Sequence, residues 1–126
     1  MAAYDIKKIA ANIRRLNAAE DARRAARRAR AQEIGVAVAG AIGADDPAVI
    51  RVWGFGSTWE MWRTYRPDSD IDLGLEGGDW SRAMACLSRF SIGHDYEVSL
   101  VPLDEQPASF TELVKKNGVI LYETKQ

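Results

Sequence analysis

The chain has 126 residues, of which 47% are apolar and 28% are charged. This length suits one compact domain with its own core and leaves little room for a separate cofactor-binding domain. The net charge of −1 excludes a chain that is basic overall, and the single cysteine, Cys86, excludes an internal disulfide. A chain without disulfides suits a reducing compartment.

The charge is unevenly distributed along the chain. Residues 1–33 hold nine Lys or Arg and four Asp or Glu, a net of +5, whereas residues 34–126 hold eight and fourteen, a net of −6. This asymmetry indicates a basic arm beside an acidic site. The chain opens on an alanine-rich, charged pattern, and it contains no apolar run long enough to cross a bilayer. We therefore expect a cytoplasmic protein with no membrane partner.

The first third of the chain has the pattern of a helix. Residues 5–40 are rich in Ala and Arg and contain no Pro. Asp5 is suited to the N-cap position, and large aliphatic residues recur at helical spacing at Ile6, Ile9, Ile13 and Leu16. We predict one long helix or a pair of helices with a break near Asn17.

Two strands are predicted in the middle of the chain. Residues 48–55 have the composition of a first strand, which ends at Gly56 and Ser57. Residues 58–64 are predicted to form a short helix. Residues 70–75 alternate polar and apolar side chains, which is typical of a half-buried strand.

The remaining elements complete an α/β (α+β) pattern. An apolar stripe predicts a helix over residues 80–87, and residues 96–101 form a third predicted strand. Residues 109–112 resemble a capping box that opens a helix ending near residues 117–118, and residues 119–122 predict a short final strand. We expect a small mixed sheet flanked by helices.

The second predicted strand carries two acidic residues. Successive strand residues point to opposite faces, so Asp70 and Asp72 share one face. The apolar set on the opposite face is Ile71, Leu73 and Leu75. Two carboxylates at this spacing can hold Mg²⁺, which prefers oxygen ligands, and two-metal sites hold their ions about 3.5–4 Å apart. If the third strand lies alongside, Glu97 supplies a third carboxylate.

A small loop precedes the acidic strand and suits a phosphate group. Gly56 lets the backbone approach a phosphate closely, and Ser57 adds a hydroxyl. A helix N-terminus directly after them would present free N–H groups to an anion. Arg63 and Arg66 lie between this loop and the acidic strand, and either can contact phosphate oxygens.

These residues carry a family resemblance. Gly56-Ser57, a spacer of twelve residues and then the string from Asp70 to Leu73 resemble the motif of the DNA polymerase β-type nucleotidyltransferases. The local string RPDSDIDL, residues 66–73, is especially similar to the minimal nucleotidyltransferases of prokaryotes. The resemblance covers roughly residues 48–122.

The resemblance implies a polymerase-β-like nucleotidyltransferase fold in a single domain, residues 1–126, with a helical segment over 1–43 and a catalytic core over 48–122. It implies ATP as the donor and Mg²⁺ as the cofactor. The metal-binding and catalytic residues would be Asp70, Asp72 and Glu97. The nucleotide-binding residues would be Gly56, Ser57, Arg66 and Ser69.

The resemblance also implies a partner. Minimal nucleotidyltransferases often pair with a helical HEPN-type ribonuclease toxin, and they transfer AMP from ATP to a tyrosine of that toxin. The implied function is that of an antitoxin that silences its partner by modification.

Two other functions stay open. The chain could be a binding module that neutralises a partner by occlusion, because residues 58–63 are bulkier than the family's loop and Ser99 stands where the family often has its third carboxylate. It could also be an RNA-end nucleotidyltransferase whose Arg-rich helix holds RNA, although a domain for gripping an RNA end is not evident. Trp59 and Trp62 are interpreted as packing residues, and His94, the only histidine, excludes a zinc site built from several histidines.

Overall fold

A single helix, α1 (Ile6–Asp45), runs through the first third of the chain. The computed structural model describes residues 5–90, 92 and 95–125, so His94 lies outside the described residues. Asp5 caps α1 as predicted, and its carboxylate accepts a hydrogen bond from the backbone N–H of Lys8. Of the two predicted alternatives, one long helix is confirmed and the break near Asn17 is wrong. Asn lowers helix propensity by only a few tenths of a kcal/mol, whereas Pro would remove a backbone N–H.

The sheet has four strands, β1 (Val49–Phe55), β2 (Ile71–Gly77), β3 (Val98–Pro102) and β4 (Val119–Glu123). Their order is β3-β2-β1-β4. β1 is antiparallel to both β2 and β4, while β2 and β3 are parallel and are connected through α2 (Trp80–Ser88). The predicted α+β architecture with a mixed sheet is therefore confirmed.

The two faces of the sheet are covered by different elements. The C-terminal half of α1 packs on one face, where Val38 and Ile42 lie in the same cluster as Ile71 and Leu73, all fully buried. The other face carries α3 (Ala108–Asn117) and a short 3-10 helix (Leu103–Glu105), with a smaller cluster formed by Trp53, Leu103, Val114, Phe55 and Phe110. Because Asp72 lies between two residues that face α1, its side chain points to the face that carries α3.

The N-terminal part of α1, residues 6–23, is called the N-terminal arm below. Residues 11–23 are all exposed. The four large aliphatic side chains of the arm are exposed as well, at Ile6, Ile9, Ile13 and Leu16. A 40-residue helix is about 60 Å long, so the arm extends roughly 25 Å along α1. No helix in the described part of the chain is long and apolar enough to cross a membrane.

Two predicted helix starts are wrong. Residues 58–64 form turns and not a helix. The capping box at residues 109–112 is also not formed, because α3 begins at Ala108 with Pro107 at its N-cap and no side-chain cap. Proline already holds the φ angle that a helix start needs, so the helix begins before Ser109. The predicted end of this helix at Asn117 and Gly118 is confirmed.

Candidate active site

The acidic pair lies where β2 begins. Asp70 immediately precedes β2 and is exposed, whereas Asp72 is its second residue and is partly buried. Within the sheet Asp72 is the partner of Phe55 on β1 and of Ser99 on β3. The pKa of Asp72 is raised to about 6. Burial is the largest cause, and the negative charges of Asp70 and Glu60 contribute to the same shift. The predicted pair is therefore a local concentration of negative charge.

Glu60 is a residue of this site that the sequence reasoning missed. Its side chain is buried, with 5% of the residue exposed, although it lies in a loop. One carboxylate oxygen accepts a hydrogen bond from the backbone N–H of Gly56, and the other pairs with Nε of Arg63 at 3.3 Å. No sequence signal marks it, because a glutamate in a predicted helix is ordinarily solvated.

Gly56 fits against the acidic strand because it has no side chain. Its φ is +77°, in the region that favours glycine. A Cβ at this position would lie 2.6 Å from Oδ2 of Asp72. The glycine of the predicted phosphate loop and the acidic strand are therefore in direct contact.

Because of this contact, we expect the Gly56→Ala substitution to reduce both the stability of the fold and the affinity for nucleotide. The left-handed conformation costs a non-glycine residue about 1–2 kcal/mol, and the new methyl group would displace the Asp72 carboxylate. We expect the melting temperature to fall by roughly 4–8 °C and the affinity for Mg²⁺·ATP to fall at least tenfold. Thermal denaturation and calorimetry measure the two effects. Unchanged nucleotide affinity in a folded Gly56→Ala protein would contradict the role given to this contact.

Hydroxyl groups join the loop after Gly56 to the turn before the acidic pair. The Ser57 hydroxyl donates to Oγ of Ser69 at 3.0 Å, and the same oxygen accepts from the backbone N–H of Arg66 at 3.0 Å. The buried hydroxyl of Thr58 donates to the carbonyl oxygen of Asp70 at 2.9 Å. The residues that sequence reasoning assigned to nucleotide binding are thus brought together. The Arg66 side chain is exposed, and its contact with a nucleotide stays a prediction.

Helix α1 holds the same loop from the opposite side. The Arg28 guanidinium donates to three carbonyl oxygens, those of Ser57, Glu60 and Arg63. The side-chain amide of Gln32, one turn further along α1, donates to the carbonyl oxygen of Thr58 at 2.8 Å. Arg28 is therefore a structural residue of the site.

Trp59 anchors the loop in the core. Only 6% of this residue is exposed, which confirms its interpretation as a packing residue. Its ring lies between two glycines, since an added Cβ would approach the ring to 2.3 Å at Gly35 and to 2.5 Å at Gly54. Trp62 differs, because 70% of it is exposed and its ring packs against the Arg63 guanidinium 4.6 Å away. Trp62 therefore packs against Arg63 at the surface and does not belong to the core.

These contacts explain why residues 58–64 do not form a helix. Arg28 takes the carbonyl oxygens of Ser57 and Glu60, which a helix over these residues would pair with its own N–H groups. The expected helix N-terminus for a phosphate is therefore missing from this loop. Two groups beside this loop can still donate to an anion, the exposed guanidinium of Arg63 and the hydroxyl of Ser69, which only accepts in the bonds described above.

Glu97 lies one residue before β3. Its carbonyl oxygen accepts from the backbone N–H of Ile71 at 2.8 Å, so it lies next to the start of β2. Its side chain is exposed, and the charges that act on Asp72 are those of Asp70 and Glu60. The role of Glu97 as a third metal ligand stays a prediction.

The acidic pair offers the carboxylate oxygens that Mg²⁺ prefers as ligands. Neither Asp70 nor Asp72 forms a salt bridge within the described residues, so their charge is not neutralised by a neighbouring cation. No group of three Asp, Glu, His or Cys side chains in that part of the chain could hold a metal ion. Mg²⁺ is commonly held by one or two carboxylates together with waters and substrate phosphates. Asp70 and Asp72 fit that requirement.

Comparison with known proteins does not assign a family. No protein-family model matches the chain, and no curated protein matches it.

Proposed function

We propose that the protein is a Mg²⁺-dependent nucleotidyltransferase that moves AMP from ATP to a hydroxyl group of a partner protein. The observation that carries the proposal is the contact between Gly56 and Asp72 in a loop joined by hydroxyl groups to the Ser69–Asp70 turn. A glycine-serine loop beside paired carboxylates is the arrangement that the family resemblance implies.

The proposed reaction divides its tasks among these residues. The acceptor oxygen bonds to the α-phosphorus while the bond from that phosphorus to the bridging oxygen breaks, so pyrophosphate leaves and the hydroxyl proton goes to solvent. Asp70 and Asp72 would hold Mg²⁺, which neutralises phosphate charge during such transfers. Arg63 would bind phosphate oxygens, and the hydrogen-bonded hydroxyl pair of Ser57 and Ser69 would donate its remaining proton to them. Glu60 would keep the Gly56 loop in place through the bond that it already forms.

The N-terminal arm supports a protein partner. Its four exposed aliphatic side chains recur at helical spacing, and Lys7, Lys8, Arg14 and Arg15 are exposed beside them. Monomeric proteins rarely leave such a stripe uncovered. We propose that an acidic, helical protein covers it, which agrees with the HEPN-type toxin implied by the family resemblance. ATP and reduced thiols are available together in the cytoplasm, where we propose that the reaction occurs.

Radiolabel transfer tests the proposed activity. The protein is incubated with Mg²⁺, ATP labelled at the α-phosphate and the helical protein encoded beside it, if the adjoining reading frame encodes one. We expect label on the partner from the wild-type protein and from Asp68→Asn, which removes an exposed charge from the same turn. We expect none from Asp70→Asn. Label transfer that survives both Asp70→Asn and Asp72→Asn would refute the mechanism.

A second candidate function is neutralisation by occlusion, without chemistry. The exposed arm favours it, because such a surface could bind a partner whether or not the acidic site is active. Calorimetry with Mg²⁺·ATP separates the candidates. Binding supports the transferase, whereas full neutralisation of the partner without detectable nucleotide binding supports occlusion.

The arm itself gives a testable prediction. Replacing Ile9 and Ile13 by Asp removes two apolar contacts, each of which contributes about 1.5–3 kcal/mol when fully buried. We expect affinity for the partner to fall at least about a hundredfold, measured by calorimetry. Ala11→Asp is the matched control, because it adds a charge to a different side of the same helix and should weaken binding less than about threefold. Equal losses in both variants would contradict docking through the aliphatic stripe.

A further inference from the structure

A cleft of about 270 Å³ opens directly beside Asp72 and Gly56, between the loop and α3. Its apolar wall consists of Phe55 and the α3 residues Phe110 and Leu113. Its polar side chains are those of Glu60, Arg63, Asp72 and Asn117. An apolar pocket with a few convergent polar groups is the usual form of a small-molecule site.

The apolar wall is built from rings and is open to a ligand. Phe55 and Phe110 pack edge to face, with ring centroids 5.6 Å apart and planes at 90°. Both rings are only partly buried, and 58% of Leu113 is exposed. Planar aromatic groups pack well against such surfaces. Stacking of a nucleobase on an aromatic side chain commonly increases affinity about tenfold or more over a site without that side chain.

The polar groups favour a nucleobase over the phenol ring of an acceptor tyrosine. The Asn117 amide offers both a donor and an acceptor, which matches the paired hydrogen-bonding groups on the edge of a base. A phenol has one hydroxyl group and would leave half of the amide unpaired. Arg63 and Asp72 lie on the same cleft, so a base held by Phe110 and Asn117 would direct its phosphates toward the acidic pair.

We propose that this cleft binds the base of the donor nucleotide, with Phe110 packing against the ring and Asn117 pairing with its edge. The inference rests on the proposed function, because it names where the base of that donor lies. It adds that recognition of the base is separate from recognition of the triphosphate, which belongs to the Gly56 loop and the acidic pair.

Calorimetry on the full chain in Mg²⁺ tests this separation, with inorganic tripolyphosphate and ATP as the two probes. Tripolyphosphate reports on the phosphate and metal site alone, and the ratio of the two affinities reports on the cleft. We expect ATP to bind at least about tenfold more tightly than tripolyphosphate. Phe110→Ala should bring this ratio to about one and leave the tripolyphosphate affinity unchanged.

Three further variants complete the test. Phe110→Leu keeps an apolar side chain and should lose most of the same ratio, which covers the case in which Phe110→Ala does not fold. Phe90→Ala removes a ring that packs against the cluster on the α1 face and does not line this cleft, so it should leave the ratio unchanged. Asn117→Ala should reduce the differences in affinity among ATP, GTP, CTP and UTP to within about twofold.

The outcomes separate the inference from the proposed function. Equal binding of ATP and tripolyphosphate by the wild-type protein would overturn the cleft assignment while supporting the phosphate site. A ratio that Phe110→Ala leaves at the wild-type value would also overturn it, since the cleft would then hold another group, such as an acceptor side chain. Failure of both probes to bind would overturn the proposed function together with the inference.

Discussion

Asp72→Asn is expected to reduce nucleotidyl transfer by about a thousandfold and, at the same time, to raise the melting temperature of the metal-free protein. The activity is lost because the neutral amide of asparagine cannot supply the negative charge with which a carboxylate binds Mg²⁺. Removing one preorganised electrostatic group commonly lowers the rate by a factor of about 10²–10³. The gain in stability follows because burial, and then repulsion from Asp70 and Glu60, disfavours the charged form of Asp72 and raises its pKa.

The sign of the pH dependence is fixed by the pKa of Asp72. Burial raises this pKa from 3.8 to about 6, so the folded state binds more protons than the unfolded state between these values. The free energy of unfolding therefore falls as the pH rises through this window, and the stability of the protonated form is lost above it. Asp72→Asn removes the titrating carboxyl group, so the free energy of unfolding of the variant should not fall across this pH window.

Thermal denaturation in EDTA measures the effect. Asp72 is partly exposed, and solvent screening leaves a gain of about 1 kcal/mol at pH 7.5, or roughly 4 °C. The gain should largely disappear at pH 4, where the wild-type carboxyl is protonated. Asp68→Asn should change neither stability nor transfer appreciably. If Asp72→Asn instead lowers the melting temperature at pH 7.5, the carboxylate is a structural group, and the site assignment is wrong.

The second large effect concerns Gly35 and Gly40 in α1. Replacing a helical glycine by alanine ordinarily stabilises a protein by about 1 kcal/mol. We expect this gain at Gly40, where nothing lies within 4 Å of an added Cβ. At Gly35 the added Cβ would lie 2.3 Å from Cζ2 of Trp59, so the same substitution should destabilise by about 1–3 kcal/mol.

Urea denaturation of both variants measures the difference. Since Trp59 is part of the Gly56–Arg63 loop, Gly35→Ala should also weaken Mg²⁺·ATP binding, whereas Gly40→Ala should not. Trp59→Leu in the Gly35→Ala background should cost less than the sum of the two single substitutions, because the smaller side chain relieves the overlap. Additive losses would show that the ring does not occupy the space beside Gly35.

The sequence was sufficient for the features that depend on local periodicity. Alternation predicted β2, although Asp70 precedes the strand, and helical spacing predicted α1 and α2. It also placed Ser57 and Ser69 in one site through their positions in the motif, and the two hydroxyl groups lie 3.0 Å apart.

The loop over residues 57–63 could not be predicted in this way. Its conformation depends on Arg28, which lies 29 residues before Ser57, and on a ring that fits between glycines of α1 and β1. Periodicity carries no information about such distant contacts, so a segment with helical composition was predicted as a helix. Glu60 was missed for the same reason, because only the folded loop brings its carboxylate near Asp72.

Intact mass spectrometry of the partner protein tests the central claim most directly. The product of the adjoining reading frame is expressed alone, together with this protein, and together with the Asp70→Asn variant. We predict that only co-expression with the wild-type chain increases the partner's mass, by the mass of one or more adenylyl groups. An unchanged mass, or an increase that corresponds to a phosphoryl group, would contradict nucleotidyl transfer by this site.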